Sequence, residues 1–308
     1  MPALNPTQAL DYKLLQQFGS LELLAKQIVE GFIVGLHKSP FHGFSVEFSE
    51  HRLYNKGEST KHIDWKLYAR TDKLFVKKYE EETNLRCHII LDTSSSMYYP
   101  SPERNKMLFS VYAAASIVHL LKKQRDASGL ALFSDKLEDF LPARSSNTHI
   151  QLLYAKLEEY MARPKEAKVT AAADAIHQLA EIIHKRSLVV IFSDMMDSDE
   201  QADKLFQSLQ HLKYNKHEVL LFHTVDRDSE LDFNFSNQPR KFIDMETGAV
   251  VKAYPADVKE QYMAYISEFR RKLMLKCAQY EIDFVEADIS KGFTQILQPF
   301  LIRRSKMM

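Results

Sequence analysis

The sequence has few cysteines and few glycines, and each scarcity excludes a class of protein. Its 308 residues include two cysteines, Cys87 and Cys277, and eight glycines. These two cysteines provide no disulfide framework, and they do not form a CxxC zinc pattern. The chain is therefore predicted to fold around an apolar core in a reducing compartment, the cytoplasm. With little glycine and neither a P-loop nor a GxGxxG motif, it is predicted to bind no nucleotide.

The chain also lacks a net charge and a long apolar segment. Lys and Arg together number 41, as do Asp and Glu. This balance argues against nucleic acid or an anionic membrane surface as the main partner. No uninterrupted apolar run approaches the ~20 residues that a membrane helix needs, so no membrane span is expected. The start, Met1-Pro2-Ala3-Leu4-Asn5, has no basic region followed by an apolar stretch, so no signal peptide is expected either.

Short apolar runs alternate with helical patterns from residue 85 onward. The apolar runs occupy 85–91, 129–133, 188–192, 219–222 and 282–285, with 137–141 as a hairpin partner of the second run. Helices are predicted over 103–124, 147–161, 171–184, 199–214 and 255–279, with a last helix from residue 293. This alternation predicts an α/β fold, a doubly wound and mostly parallel sheet with helices on both faces.

The first part of the chain has a different pattern. Residues 7–36 show helical spacing with a possible break near Gly19-Ser20, while alternation at 44–48 and the run at 74–76 indicate strands. Three parts are therefore predicted: an N-terminal extension (1–83), the α/β domain (84–303) and a short C-terminal tail (304–308).

Oxygen-bearing side chains follow the predicted strands where each strand ends. The candidates are Asp92, Ser94 and Ser96 after the first strand, Thr170 at the start of a helix, and Asp194 after the strand at 188–192. Parallel sheets bind ligands at the carboxyl ends of their strands, so these side chains are expected to meet. An all-oxygen set suits Mg²⁺, with Mn²⁺ or Ca²⁺ as alternatives. Because only two of the five are charged, the ion would also accept a carboxylate from a partner protein.

Each candidate also has a simpler interpretation. Ser and Asp commonly cap helices in strand-to-helix loops, and Thr170 is a suitable N-cap for the helix that follows it. Asp194 competes with Asp197 and Asp199, which are expected to cap the next helix. The metal-ligand and capping interpretations both stay open at this point.

The motif resembles a known metal site. Asp92-x-Ser94-x-Ser96 after an apolar strand, with a later Thr and a later Asp, resembles the metal-ion-dependent adhesion site of von Willebrand factor A domains. The segment before it, with Arg52-Leu53-Tyr54, Ile63-Asp64-Trp65 and Ala69-Arg70, is similar to the bacterial family catalogued as domain of unknown function fifty-eight. This resemblance, over roughly residues 20–300, implies a von Willebrand A-like domain that works with a MoxR-type AAA+ ATPase.

Three functions are compatible with these features. The first is a non-enzymatic adaptor whose cation grips a partner carboxylate. The second is a hydrolase using the same cation to activate water, although no general base, HExxH or GxSxG motif is apparent. The third is nucleic-acid binding through residues 52–79, which hold eight basic and three acidic residues interleaved with aromatic ones. Packing of those aromatic side chains onto the main domain is the alternative explanation for this segment.

Overall fold

The computed structural model describes most of the chain. The described residues are 10–16, 19–37, 51–53, 68–70, 75–77, 85–163, 172–196, 199–245 and 247–307. Two sequence predictions, Thr170 as a metal ligand and the strand at 44–48, therefore lie outside the described residues. The Ile63-Asp64-Trp65 element lies outside them as well.

The chain divides into two compact units. One unit comprises Leu36–Asn84, and the other comprises Met1–Gly35 together with Leu85–Met308. In the smaller unit, β1 (His51–Leu53) pairs antiparallel with β2 (Phe75–Lys77). The strand predicted near residues 74–76 is thus present as β2.

The two helices near the N-terminus lie almost entirely within the larger unit. They are α1 (Tyr12–Leu15) and α2 (Leu21–His37), separated at the predicted break. The Tyr12 hydroxyl donates to the Ile289 carbonyl at 2.8 Å, and the Leu21 N–H donates to Glu158 Oε1 at 2.8 Å. The predicted N-terminal extension (1–83) includes both helices, whereas these long-range hydrogen bonds connect them to residues of the larger unit.

The larger unit is built on a six-stranded sheet. The strands of the larger unit, inside and outside this sheet, are in chain order β3 (Arg86–Asp92), β4 (Pro100–Ser101), β5 (Arg104–Asn105), β6 (Ala127–Phe133), β7 (Leu137–Arg144), β8 (Leu188–Ser193), β9 (Glu218–Val225), β10 (Arg240–Ile243), β11 (Val250–Ala253) and β12 (Asp283–Asp288). The main sheet has the order β12-β9-β8-β3-β6-β7, and only the β6–β7 pair is antiparallel. The chain adds strands first on one side of β3 and then on the other, so the order reverses between β3 and β8. The predicted doubly wound, mostly parallel sheet is confirmed.

Helices flank this sheet. They are α3 (Lys106–Lys123), α4 (Asn147–Ala162), α5 (Ala172–Ile182), α6 (Asp199–Tyr214), α7 (Pro255–Gln279) and α8 (Thr294–Ser305). Helices α5, α6 and α7 share one apolar cluster with Ile90, Ile191 and Leu221 of the sheet. Successive side chains of a strand point to opposite faces, so Ile89 and Phe222, both fully buried, face the other layer. In that layer α3 packs against α4 and α8.

Helix α3 begins three residues later than predicted, and the reason is local. Residues 100–105 form the β4–β5 hairpin, in which Ser101 pairs with Arg104. Asn105 then caps the helix, because its side chain accepts the Leu108 N–H at 2.8 Å. Lys106 consequently occupies the first helical position, where a positive charge is unfavourable to the helix dipole. Among the described residues, none of the helices combines the length and hydropathy that a bilayer crossing requires.

The β6–β7 hairpin depends on a glycine. A Cβ at Gly129 would lie 2.8 Å from the Leu141 carbonyl oxygen and 2.9 Å from the Ala143 nitrogen. Both neighbours are backbone atoms and cannot rotate away. We therefore expect Gly129→Ala to lower the free energy of unfolding by about 1–3 kcal/mol, measured by urea denaturation.

A matched substitution tests the steric explanation. A Cβ at Gly19 would meet no atom of the described residues within 4 Å, so Gly19→Ala should leave the urea midpoint nearly unchanged or raise it slightly. Equal decreases in the urea midpoint for Gly129→Ala and Gly19→Ala would show that the close approach of β6 and β7 does not cause the loss of stability.

Candidate metal centre

The motif residues meet at the carboxyl ends of β3 and β8. Asp92 is the last residue of β3, and Asp194 directly follows β8, its neighbour in the sheet. Ser94 and Ser96 lie in the loop after β3, and the Ser96 hydroxyl is close enough to Asp194 to lower the pKa of its carboxyl. The structure thus brings together four of the five predicted residues, and the fifth is outside the described residues.

The loop after β3 is held against the neighbouring strand. The Thr93 N–H and hydroxyl both reach the Phe133 carbonyl oxygen, at 2.7 and 2.8 Å. A short 3₁₀ helix, Ser95–Tyr98, then follows, with Ser94 at its N-cap position. This path brings the Ser94 and Ser96 hydroxyl oxygens to within 3.0 Å of each other.

Asp92 is a buried carboxylate with neutral hydrogen-bond donors. Its Oδ1 accepts the Ser94 N–H at 2.9 Å, and its Oδ2 accepts the Ser193 hydroxyl at 2.6 Å. Burial, and then the negative charge of Asp194, raise the pKa of Asp92. Among the described residues it forms no ion pair, so its charge lacks a cationic counterpart there.

Asp194, in contrast, has a cationic partner. The Lys106 ammonium donates to Asp194 Oδ2 at 2.7 Å and to Glu230 Oε1 at 2.6 Å, and the lysine side chain is only 1% exposed. Burial lowers the pKa of Lys106, but the two carboxylates outweigh it and the net pKa is raised. Burial raises the pKa of Asp194, but Lys106 lowers that pKa by a larger amount. The net pKa of Asp194 is therefore lowered. The two groups therefore form a charged pair in the interior.

Residues of β9 and of the turn after it complete this edge. Glu230 lies in a π-helical turn, Arg227–Leu231, and its Oε2 accepts the Asp226 N–H at 2.7 Å. His223 Nε2 lies 2.9 Å from the Asp194 carbonyl oxygen. Burial lowers the pKa of His223, so the neutral ring donates its Nε2–H to that carbonyl. The loop carrying Asp194 is thus held by its side chain and by its backbone.

These residues fit a hard divalent cation. Two oxygens bound side by side on an octahedral ion, with Mg–O bonds of ~2.1 Å, lie ~3 Å apart. The Ser94 and Ser96 hydroxyls have this separation, at 3.0 Å. Lys106 neutralises only one of the two carboxylates that it contacts, and Asp92 adds a further negative charge once a cation replaces its proton. The missing counter-charge and the oxygen donors both suit Mg²⁺, Mn²⁺ or Ca²⁺.

Sequence reasoning missed three residues of this cluster: Lys106, Ser193 and Glu230. One local feature of the sequence indicated a partner for Lys106. A lysine in the first turn of an apolar helix is unfavourable to the helix dipole unless a carboxylate lies nearby. Its partners lie 88 and 124 positions away, and no periodicity or motif predicts such a pairing.

The buried ion pair makes Lys106 important for stability. In Lys106→Met, Asp194 and Glu230 would keep buried carboxylates with no ammonium between them. We expect the free energy of unfolding in chelator-containing buffer to fall by about 3–5 kcal/mol, read from urea denaturation.

Lys122→Met is the matched control. Its ion pair with Glu22 measures 2.8 Å, close to the 2.7 Å between Lys106 and Asp194, but the two side chains are 32% and 34% exposed. Solvated pairs of this kind contribute ~1 kcal/mol or less. If Lys106→Met lowers the free energy of unfolding no more than Lys122→Met does, the structural role given to the buried pair is contradicted.

Comparisons with known proteins place the chain among related sequences. A family model described as "Protein of unknown function DUF58" matches residues 50–271. The uncharacterized protein Rv1480 of Mycobacterium tuberculosis is 27% identical over 222 residues, which covers 72% of this chain and 68% of that protein. The uncharacterized protein Mb1516 of Mycobacterium bovis matches with the same identity and coverage.

Two solved structures show similarity at low sequence identity. An aerotolerance-related membrane protein from Bacteroides fragilis is 16% identical with a TM-score of 0.44, covering 73% of this chain and 100% of that one. BatB from Bacteroides thetaiotaomicron is 13% identical with a TM-score of 0.42, covering 72% of this chain and 98% of that one.

Proposed function

This chain belongs to the family of proteins of unknown function DUF58, and we propose that it is a metal-dependent protein-interaction module. The observation that carries the proposal is the Asp92 carboxylate, which is fully buried beside Asp194 and forms no ion pair among the described residues. A carboxylate in such surroundings stays ionised only if a cation comes to it. A metal ion bound there would stand at the end of β3, and the half-buried Ser96 marks the side from which a partner protein would reach it.

The ligands follow from the oxygens available. Asp92, Ser94 and Ser96 would bind the ion directly, Thr170 would join them, and Asp194 would assist directly or through water. Mg²⁺ is the proposed ion, with Mn²⁺ and Ca²⁺ as alternatives. Because hydroxyl ligands are neutral, the ion keeps positive charge and supplies an attachment point for an acidic side chain.

The partner is proposed to be a protein that contributes one Glu or Asp to the metal. A MoxR-type AAA+ ATPase is the candidate that accompanies the family resemblance. In this role the chain would act in the cytoplasm, delivering a target to the ATPase or regulating its assembly.

A catalytic role is not part of the proposal. A hydrolase would need a general base positioned to deprotonate a metal-bound water. His223 contacts the loop at Asp194, but it donates its Nε2–H to the backbone carbonyl and is 2% exposed. We infer that it supports the loop and does not act on a substrate. The nucleic-acid alternative concerns residues 52–79, most of which lie outside the described residues.

Metal binding by the purified chain is the first test. Isothermal titration with Mg²⁺ should show one site, and Asp92→Ala should weaken binding at least ~10-fold, because a carboxylate proposed to bind the ion directly is removed. Ser96→Ala removes a single oxygen and should weaken binding less. Asp257→Ala, at an exposed position, serves as the control and should bind as the wild type does. Equal Mg²⁺ affinity in Asp92→Ala and the wild type would refute the site.

Partner capture tests the adaptor role. Immobilised wild type in Mg²⁺ buffer should retain a MoxR-type AAA+ ATPase from host lysate, identified by mass spectrometry. The same protein should be lost with EDTA or with Asp92→Ala, and kept with Asp257→Ala. Identical captured proteins under all conditions would mean that the cation is not the point of attachment.

A further inference from the structure

A second group of metal-binding side chains lies on the helix pair α5–α6, away from the strand ends. His177 and Glu181 stand one turn apart on α5, and His211 stands on α6. One nitrogen from each histidine and one carboxylate oxygen all lie within 4.8 Å of one another. The group therefore joins two helices through three potential ligands.

The two imidazoles face each other through the same ring atom. His211 Nδ1 lies 3.2 Å from His177 Nδ1, and the ring centroids are 4.6 Å apart. On its other side, His211 Nε2 lies 3.0 Å from Glu181 Oε1. Because a carboxylate accepts, the His211 Nε2–H donates to Glu181, which leaves the His211 Nδ1 lone pair directed at His177.

The helices that carry these side chains are fixed to each other. The Ser208 hydroxyl donates to the Ala173 carbonyl at 2.7 Å, and Asn215 Nδ2 donates to the Ala180 carbonyl at 2.8 Å. These two cross-links flank the histidine pair along the helices. Buried apolar side chains of both helices, Leu179 and Leu212 among them, pack in the same cluster. The separation of the imidazoles is thus set by the scaffold.

We propose that His177 and His211 bind a transition-metal cation such as Zn²⁺ through their Nδ1 atoms. Two nitrogens bound tetrahedrally at ~2.0–2.1 Å from zinc lie ~3.3 Å apart, close to the observed separation. The ion takes the place of the proton shared between the two rings, and the His177 proton moves to its Nε2. Glu181 orients His211 from behind, as carboxylates do for metal-binding histidines, and water completes the coordination.

This site differs in chemistry from the one at the strand ends. Imidazole nitrogen suits Zn²⁺, Cu²⁺ or Ni²⁺, whereas the hydroxyl and carboxylate oxygens around Asp92 suit Mg²⁺. The two sites can therefore be loaded and tested separately in one protein.

Isothermal titration of the full chain with Zn²⁺ in excess Mg²⁺ tests the proposal. The wild type should bind one Zn²⁺ with micromolar affinity. His177→Ala and His211→Ala should each weaken that binding at least ~10-fold, and Glu181→Gln should weaken it ~10-fold through lost orientation of His211. Circular dichroism should show all three variants folded, because the substituted positions lie at the surface of the helix pair.

Two control variants make the result specific. His184→Ala removes another exposed histidine, and Asp92→Ala removes the main ligand of the proposed Mg²⁺ site; both should bind Zn²⁺ as the wild type does. Absence of Zn²⁺ binding by the wild type would overturn the inference, as would unchanged binding in His177→Ala and His211→Ala. Loss of Zn²⁺ in Asp92→Ala would assign the ion to the strand ends instead. If the chain fails to bind Mg²⁺ but binds Zn²⁺ as expected, the proposed function is refuted and the histidine site is supported.

Discussion

The buried ammonium of Lys106 is the contact on which the arrangement at the strand ends depends. It joins the first turn of α3 to Asp194 after β8 and to Glu230 after β9. All three side chains are largely buried, so water cannot substitute for a lost partner, and each charge holds the others in place. The carboxylate of Asp194 is thereby kept beside Asp92, and the negative charge that a cation would neutralise is concentrated at one point of the sheet.

Much of this arrangement was predictable from local pattern. Apolar runs alternating with helices predict a doubly wound sheet, and the rule that ligands gather at carboxyl ends predicts that Asp92 and Asp194 meet. The boundaries of α6 and α7 also agree with the prediction to the residue. A periodic apolar face marks α6, and Pro255 starts α7. Patterns confined to one element or to strand ends suffice for these features.

Other features depend on contacts between distant positions, which no local pattern encodes. Ser193 holds Asp92 from 101 residues away, although in sequence it is simply the end of a buried strand. The late start of α3 follows from the β4–β5 hairpin, whose residues read as a continuation of the helix. The His177–His211 pair needs two helices brought side by side, and scattered histidines in a sequence do not reveal which of them will face each other.

The antiparallel strand β7 also limits the pairing of the main sheet with strands of other chains. It lies at one edge of the main sheet, and its sequence includes Pro142, which has no N–H to offer to a further strand. Asp139 and the exposed Arg144 would lose hydration if another strand paired there. This edge is thus a poor template for strand addition or for fibre-like stacking of copies.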